Sequence, residues 1–330
     1  MKEEEIRPQH IFDEYLRLVE RDTQAYFGSE PQDAVPCPAC GGVGVVAFVK
    51  HGFTYEECPE CQTLYVSPRP SAATFTRYYR DAESVKYWAS TFYKATAEAR
   101  REKLWLPKAR LIQDIVRQFG SPQHVVIDIG GGYGIFAEEY ERISGQRVLV
   151  IEPGPDLAAV CRAKGLDVVE EFLEVIDPIR LGAGPKAFVS FELFEHLHDP
   201  EKFLRHLFGM MVAGDLFMFT TLSGVGVDIQ ALWVDSKSVS PPQHLNFLNP
   251  KSARRLLEHV GFDVVHTSTP GQLDIDILCN NRHQIKDHFW RTFAAQATDD
   301  QRKAMQSFVS AQGLSSHMFA VCQKPCGLRS

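Results

Sequence analysis

The chain has 330 residues, 44% of them apolar and 23% charged, with a formal net charge of -7. This is ordinary globular material with room for one full α/β domain and appendages, and its acidic balance argues against general nucleic-acid binding, which needs a basic surface. No apolar run approaches the roughly 18 to 20 residues of a membrane span, and the opening MKEEEIRPQH is acidic and lacks a signal-peptide core, so a soluble cytoplasmic protein is expected.

Residues 1–35 predict an amphipathic helix over 10–27, with Ile11, Tyr15, Leu18 and Val19 on one face, followed by a linker. Segment 36–66 carries C-x2-C-x17-C-x2-C: Cys37 and Cys40 in CPACGG, then Cys58 and Cys61 in CPECQT. Two such knuckles, joined by strands over 43–50 and 53–57 with a His51-Gly52 turn, suit tetrahedral Zn2+. With all four places filled by cysteine no position is open for water or substrate, so the ion's role would be structural. The other reading is a pair of disulfides or redox sites, which the absence of a secretory signal disfavours. Cys161, Cys279, Cys322 and Cys326 are scattered and read as packing or surface thiols. Segment 67–120 begins with the stiff Ser67-Pro-Arg-Pro-Ser71 and reads as helical over 72–119. Its many aromatics, among them Tyr79, Trp88, Tyr93 and Trp105, either form core or roof a substrate cleft.

From 121 to 330 the pattern is that of alternating strands and helices. Val125, Val126, Ile127 and Ile129 form a strand apolar on both faces, and Gly130, Gly131, Gly132 and Gly134 follow at its carboxyl end. A helix then begins, and such a strand, glycine turn and helix form the crevice where doubly wound sheets bind ligands. The spacing is D-x-G-x-G-x-G rather than the dinucleotide G-x-G-x-x-G. Asp128 just before the turn suits a cationic ligand, and S-adenosylmethionine carries a sulfonium and an ammonium. A second strand over 147–151 ends at Glu152, where a carboxylate can bind both ribose hydroxyls. Further strands are expected at 167–169, 187–191, 216–220, 262–269 and 317–323. Between them fall a lid-length loop at 223–240, a helix from Pro250 to Val260 closed by Gly261, and a helical stretch over 284–311.

The segments VIDIGGGYG, VIEP, FELFEHLHDPEKFLRHL and GDLFMFTT, in this order, resemble the class I S-adenosylmethionine-dependent methyltransferases. The resemblance implies an α/β, Rossmann-like seven-stranded sheet behind the amino-terminal ribbon and helical module. It places the cofactor against Asp128, Gly130 to Gly134 with Tyr133, and Glu152 with Pro153. By position after their strands, Glu171 or Phe172 would lie near the adenine and Phe191 near the methionine moiety. The ribbon, LYVSPRP and the aromatic helix also resemble the amino-terminal module of bacterial methyltransferases acting on sugars and cell-surface glycans, including deoxysugar C-methyltransferases. The likeness therefore extends over 36–323.

In those C-methyltransferases a motif like YHEHxSYFS is associated with proton transfer. Here the matching residues run from Pro241 to Asn249, and only the second histidine, His244, is kept; Pro241 and Gln243 replace the tyrosine and the glutamate. His244, and His196 beside Glu195, are the histidines placed to act as base. The plainer readings are that His244 fixes its loop and that the Glu195–His196 pair caps a helix or shapes the pocket. The expected function is S-adenosylmethionine-dependent methyl transfer to a small or glycan-like acceptor, a nucleotide-linked or cell-surface sugar. The competing readings are a zinc-ribbon RNA-directed methyltransferase, which the acidic charge disfavours, a nicotinamide-dependent oxidoreductase, which the missing G-x-G-x-x-G disfavours, and a partner protein that binds cofactor without catalysis.

Overall fold

The computed structural model describes residues 1–327; the last three residues of the 121–330 segment lie outside the described residues. Seven strands form the main sheet: β1 Val125–Ile129, β2 Val148–Ile151, β3 Asp167–Val169, β4 Lys186–Phe191, β5 Leu216–Leu222, β6 Asp263–Ser268 and β7 His317–Gln323. Their spatial order is β3-β2-β1-β4-β5-β7-β6. The pairs from β3 through β5 are parallel, and only β7 runs antiparallel to its neighbours β5 and β6. Every residue of β4 and β5 is buried, as helices on both faces require of central parallel strands. This mixed sheet with flanking helices is the class I methyltransferase arrangement. The order reverses beside β1, so the crevice lies outside the carboxyl ends of β1 and β4.

The cysteine segment does not stand alone. Its strands Val45–Lys50, Phe53–Glu57 and Leu64–Val66 form a small antiparallel sheet whose fourth strand, Asn246–Phe247, comes from the loop region after β5. Asn249 adds a clamp, donating from Nδ2 to the Cys61 carbonyl at 2.8 Å. Cys37, Cys58 and Cys61 share one buried cluster with Ile127 of β1, Phe203 and Leu256.

The helical stretch between 83 and 119 is interrupted by two π-type segments, Trp88–Phe92 and Arg101–Trp105. Such widened turns recur at functional sites. The 223–240 loop contains a helix, Val227–Leu232. The expected 284–311 helix is two helices, His288–Gln296 and Asp299–Ala311. The break has a local cause: Thr298 and Gln301 form a capping box that starts the second helix. Among the described residues no helix is long and apolar enough to cross a membrane.

Candidate functional site

The glycine loop turns tightly because Gly130, Gly132 and Gly134 all take left-handed backbone, with φ of 75, 54 and 66°. Gly131 is required by close approach instead, since a Cβ there would meet Val150 Cγ1 at 2.4 Å. A Cβ at Gly132 would meet nothing within 4 Å, so this position faces open space at the mouth of the crevice. The Gly132 N–H donates to Glu152 Oε2 and the Gly154 N–H to Glu152 Oε1, both at 2.8 Å. Glu152 thus ties the loop after β1 to the loop after β2.

Two carboxylates sit close together here with little water. Asp128 is 2% exposed, and burial, with the neighbouring Glu152 charge, pushes its carboxyl up to about 7. Burial also raises Glu152, against the two backbone N–H donors that lower it. A pair held this way gains by receiving a cation.

Tyr133 extends from the loop and stacks on Tyr93, ring centroids 4.5 Å apart, and its hydroxyl donates to the Ala89 carbonyl. The helical module therefore roofs the glycine loop. Phe191 lies in the core, its ring 4.6 Å from Phe136 and 5.7 Å from Trp105. Phe172 is 57% exposed, Glu171 pairs with Arg180 at 2.6 Å, and Pro153 is partly buried beside Glu152.

A second constellation lies at the end of β4. Glu195, His196 and His244 bring one possible ligand atom each to within 4.8 Å of one another, and the two imidazole centroids are 4.9 Å apart. His244 Nδ1 lies 2.6 Å from the Ser238 carbonyl. A carbonyl only accepts, so Nδ1 carries the hydrogen and the neutral ring keeps a lone pair on Nε2. Burial lowers His244 to about 4, the Arg7 charge adding to it, and burial with the His244 charge lowers His196 to about 3. Glu195 accepts from Thr221 Oγ1 at 2.8 Å and is raised to about 8, by burial first and by Glu192 second. Tyr79 places its hydroxyl 3.2 Å from His196 Nδ1, and Tyr55 donates to the His244 carbonyl at 2.7 Å.

Glu192, the first residue after β4, has no role in the sequence reading, yet it is held in left-handed backbone at φ 54°. A non-glycine residue there costs energy and is over-represented at functional sites. Its carboxylate accepts from Thr220 Oγ1 at 2.7 Å and Lys108 Nζ at 3.2 Å, and His317 Nδ1 lies 3.4 Å away. Despite its burial, the charges of His317 and Lys108 and these hydrogen bonds hold it well below the usual carboxylate range. The available signal was its position, immediately after a largely apolar strand at the carboxyl edge of the sheet. Lys108 and His317 come from remote parts of the chain, and no local pattern announces them.

The four cysteines are free thiols. Their sulfurs lie within 4.8 Å of one another, with Cys37–Cys61 and Cys40–Cys58 each at 3.5 Å. Tetrahedral zinc, with Zn–S of about 2.3 Å, separates sulfurs by about 3.8 Å. The donor set can therefore hold a metal ion.

A family model described as a methyltransferase domain matches residues 97–267, just over half of the chain. The chain belongs to this methyltransferase family. It is an S-adenosylmethionine-dependent enzyme. Among solved structures it is similar to the plantazolicin methyltransferase BpumL in complex with SAH, at 11% identity over 76% of this chain and 93% of that one, TM-score 0.49. It is also similar to the [4+2]-cyclase SpnF, at 14% identity over 66% and 81%, TM-score 0.42. A third is the cyclopropane synthase MmaA2 from Mycobacterium tuberculosis, at 14% identity over 68% and 85%, TM-score 0.44. No curated protein matches the methyltransferase in sequence.

Within the methyltransferase, Asp128, the four glycines, Tyr133 and Glu152 come together at one crevice, and Glu195, His196 and His244 come together at another place beyond β4. Glu171 and Phe172 lie in the partly exposed segment after β3, the strand paired with β2.

Proposed function

We propose that this methyltransferase acts on a small, glycan-like acceptor, a nucleotide-linked or cell-surface sugar, with His244 as the base that takes the acceptor's proton. The observation that carries this reading is the fixed tautomer of His244: its Nδ1–H is committed to Ser238, which leaves the lone pair on Nε2, and its ring lies 4.9 Å from that of His196. His196 is a positioning residue held by Tyr79, and Glu195, kept protonated near neutral pH by its burial, can donate a hydrogen bond. Asp128, Gly130 to Gly134 and Glu152 hold the methyl donor, which supplies an electrophilic methyl group when bound. Tyr133 and Tyr93 exclude water from above. Glu171 or Phe172, after β3, would lie near the adenine, and Phe191, at the end of β4, near the methionine moiety. The cysteine ribbon, read as a module over 36–66, holds structural Zn2+.

Calorimetric titration with S-adenosylmethionine tests the donor site, with a proton count as its signature. Asp128 is half protonated near pH 7, and a bound cation favours its ionised form. Binding is therefore expected to release a proton, so that the observed enthalpy differs between Tris and phosphate buffers; in Asp128→Asn that difference should vanish. Equal enthalpies in both buffers for the wild type would show that Asp128 does not change its protonation when the donor binds.

His244 makes a second test that needs no acceptor. Its folded value of about 4 lies below the ordinary 6.5. The unfolded chain therefore binds the proton first, and stability is lost as pH falls from about 6.5 towards 4. Asp128 and Glu195, raised in the fold, act with the opposite sign, so the comparison is with His244→Gln rather than with zero slope. Urea denaturation should show the variant losing less stability than the wild type across this interval. Once the acceptor is known, the variant should lose most of its kcat, by roughly 100-fold or more; unchanged turnover would rule out His244 as base.

A further inference from the structure

Arg7 and Arg100 come from opposite ends of the amino-terminal module and flank one aromatic stack. The Arg7 guanidinium carbon lies 5.5 Å from the Phe12 centroid, and that of Arg100 lies 5.4 Å from the Phe92 centroid, with the two rings 5.8 Å apart. Arg100 also lies 5.4 Å from Tyr93, the ring that stacks on Tyr133 of the glycine loop. The first turn of the chain is tied down beside them: Glu5 pairs with Lys103, and the Glu3 N–H donates to Asp276 Oδ2 at 2.6 Å.

What is missing is an anion. Among the described residues neither guanidinium has a carboxylate within ion-pair distance, and Nε of each is buried without a hydrogen-bond partner. Other arginines of this module have their partners: Arg101 pairs with Glu138 and Glu139, and the buried Arg69 donates to the carbonyls of Val66 and His198 and to Asn246 Oδ1. Two partly buried cations near each other are costly in a folded protein, and the Glu192 charge, which favours the Arg100 cation from beyond ion-pair distance, offsets only part of that cost. Burial pushes Arg100 down to about 10, and the Arg7 charge adds to that shift. The Arg7 charge also acts on His244 and His317, and the Arg100 charge is felt by Glu192, so both cations lie within electrostatic reach of the residues that follow β4.

We propose that Arg7 and Arg100 form the seat of an oxyanion, a phosphate or a carboxylate, carried by the methyl acceptor. This rests on the methyl-transfer reading and adds to it a recognition site that couples to the base. A bound anion neutralises the Arg7 charge that suppresses the proton affinity of His244, so the acceptor makes its own base stronger on arrival. The bidentate fork of each guanidinium suits planar carboxylate and phosphate oxygens alike.

The test uses the full-length protein saturated with S-adenosylhomocysteine, titrated with inorganic pyrophosphate in one arm and malonate in the other. Trp88, 5.8 Å from the Arg100 guanidinium, supplies a fluorescence signal. Saturable binding in one arm is expected and tells phosphate from carboxylate. In Arg7→Gln and in Arg100→Gln the dissociation constant should rise at least about tenfold with the affinity for S-adenosylhomocysteine unchanged. Melting without ligand separates this from a packing role: removing one of two like charges should leave the Tm unchanged or raise it, whereas lost packing lowers it. The proposal is overturned if neither anion binds the wild type, or if the variants bind as the wild type does. Failure of S-adenosylhomocysteine itself to bind would instead overturn the methyl-transfer reading.

Discussion

Gly132→Arg is expected to abolish S-adenosylhomocysteine binding in a protein that still folds. The two halves of that expectation have separate grounds. A Cβ at this position meets nothing within 4 Å, so the arginine has open space to start from and does not have to enter the core. Its backbone cost is that of one left-handed residue at φ 54°, about 1–2 kcal/mol, which a domain of ordinary stability tolerates. On the proposed placement of the donor, however, it occupies the donor's space and sets a competing cation near Asp128, the carboxylate proposed to face the donor's positive charge. An affinity loss of at least about a hundredfold, or about 2.8 kcal/mol, is expected. Calorimetry gives the affinity, and circular dichroism with thermal melting shows the fold. A folded variant that binds as the wild type does would move the donor site elsewhere. Gly131 and Gly134 are poor choices for the same experiment, because a Cβ at either runs into Val150, or into Leu166 and Cys161, and lost binding would then report a damaged loop.

The main sheet was readable because its signal is local. Val125–Ile129 is apolar throughout except for Asp128, as a strand covered on both faces must be, and the glycines after it can serve only as a turn. The same holds for β4 and β5, whose runs are extended by one or two residues over the sequence expectation. The cysteine knuckles are local as well: Gly41 and Gln62 close equivalent turns, with their N–H groups bonded to the carbonyls of Cys37 and Cys58. What escaped was built from single residues of distant segments. The pairing of Asn246–Phe247 with Leu64 and Tyr65 is two residues long, too short for any periodicity. Glu192 acquires its meaning from Lys108, Thr220 and His317, and Arg7 from Arg100. The π-type segments within 83–119 leave the apolar spacing close to helical, so they too were invisible.

The short pairing of Asn246–Phe247 gives the proposed zinc site its largest consequence. On the proposal that the four cysteines hold zinc and that His244 is the base, Cys58→Ser, or treatment with a strong chelator, is expected to silence catalysis while donor binding persists. Cys58 is fully buried with its sulfur 3.5 Å from that of Cys40, and a serine oxygen replaces a thiolate poorly on zinc. Structural zinc contributes roughly 10–16 kcal/mol in zinc-finger peptides, against roughly 5–15 kcal/mol for the stability of a whole domain, so losing the ion is expected to loosen the ribbon even though its strands and cysteines pack into shared cores. Its loss does not stop at residue 66. The edge strand Asn246–Phe247 loses its partner, Asn249 loses the carbonyls of Cys61 and Gln62, and the His244 carbonyl loses the Tyr55 hydroxyl. The loop that aims His244 is thereby released, whereas Glu152 and the glycine loop are held by bonds to each other. Hydrogen exchange should accordingly lose protection over both 36–66 and 241–249, with metal content falling from near one ion per chain and the Tm dropping. The affinity for S-adenosylhomocysteine should stay within a few-fold of the wild type. A metal-free variant that keeps protection over 241–249 and turns over normally would show that the ribbon and the base are uncoupled, and that the cysteines serve some purpose other than holding the catalytic loop in place.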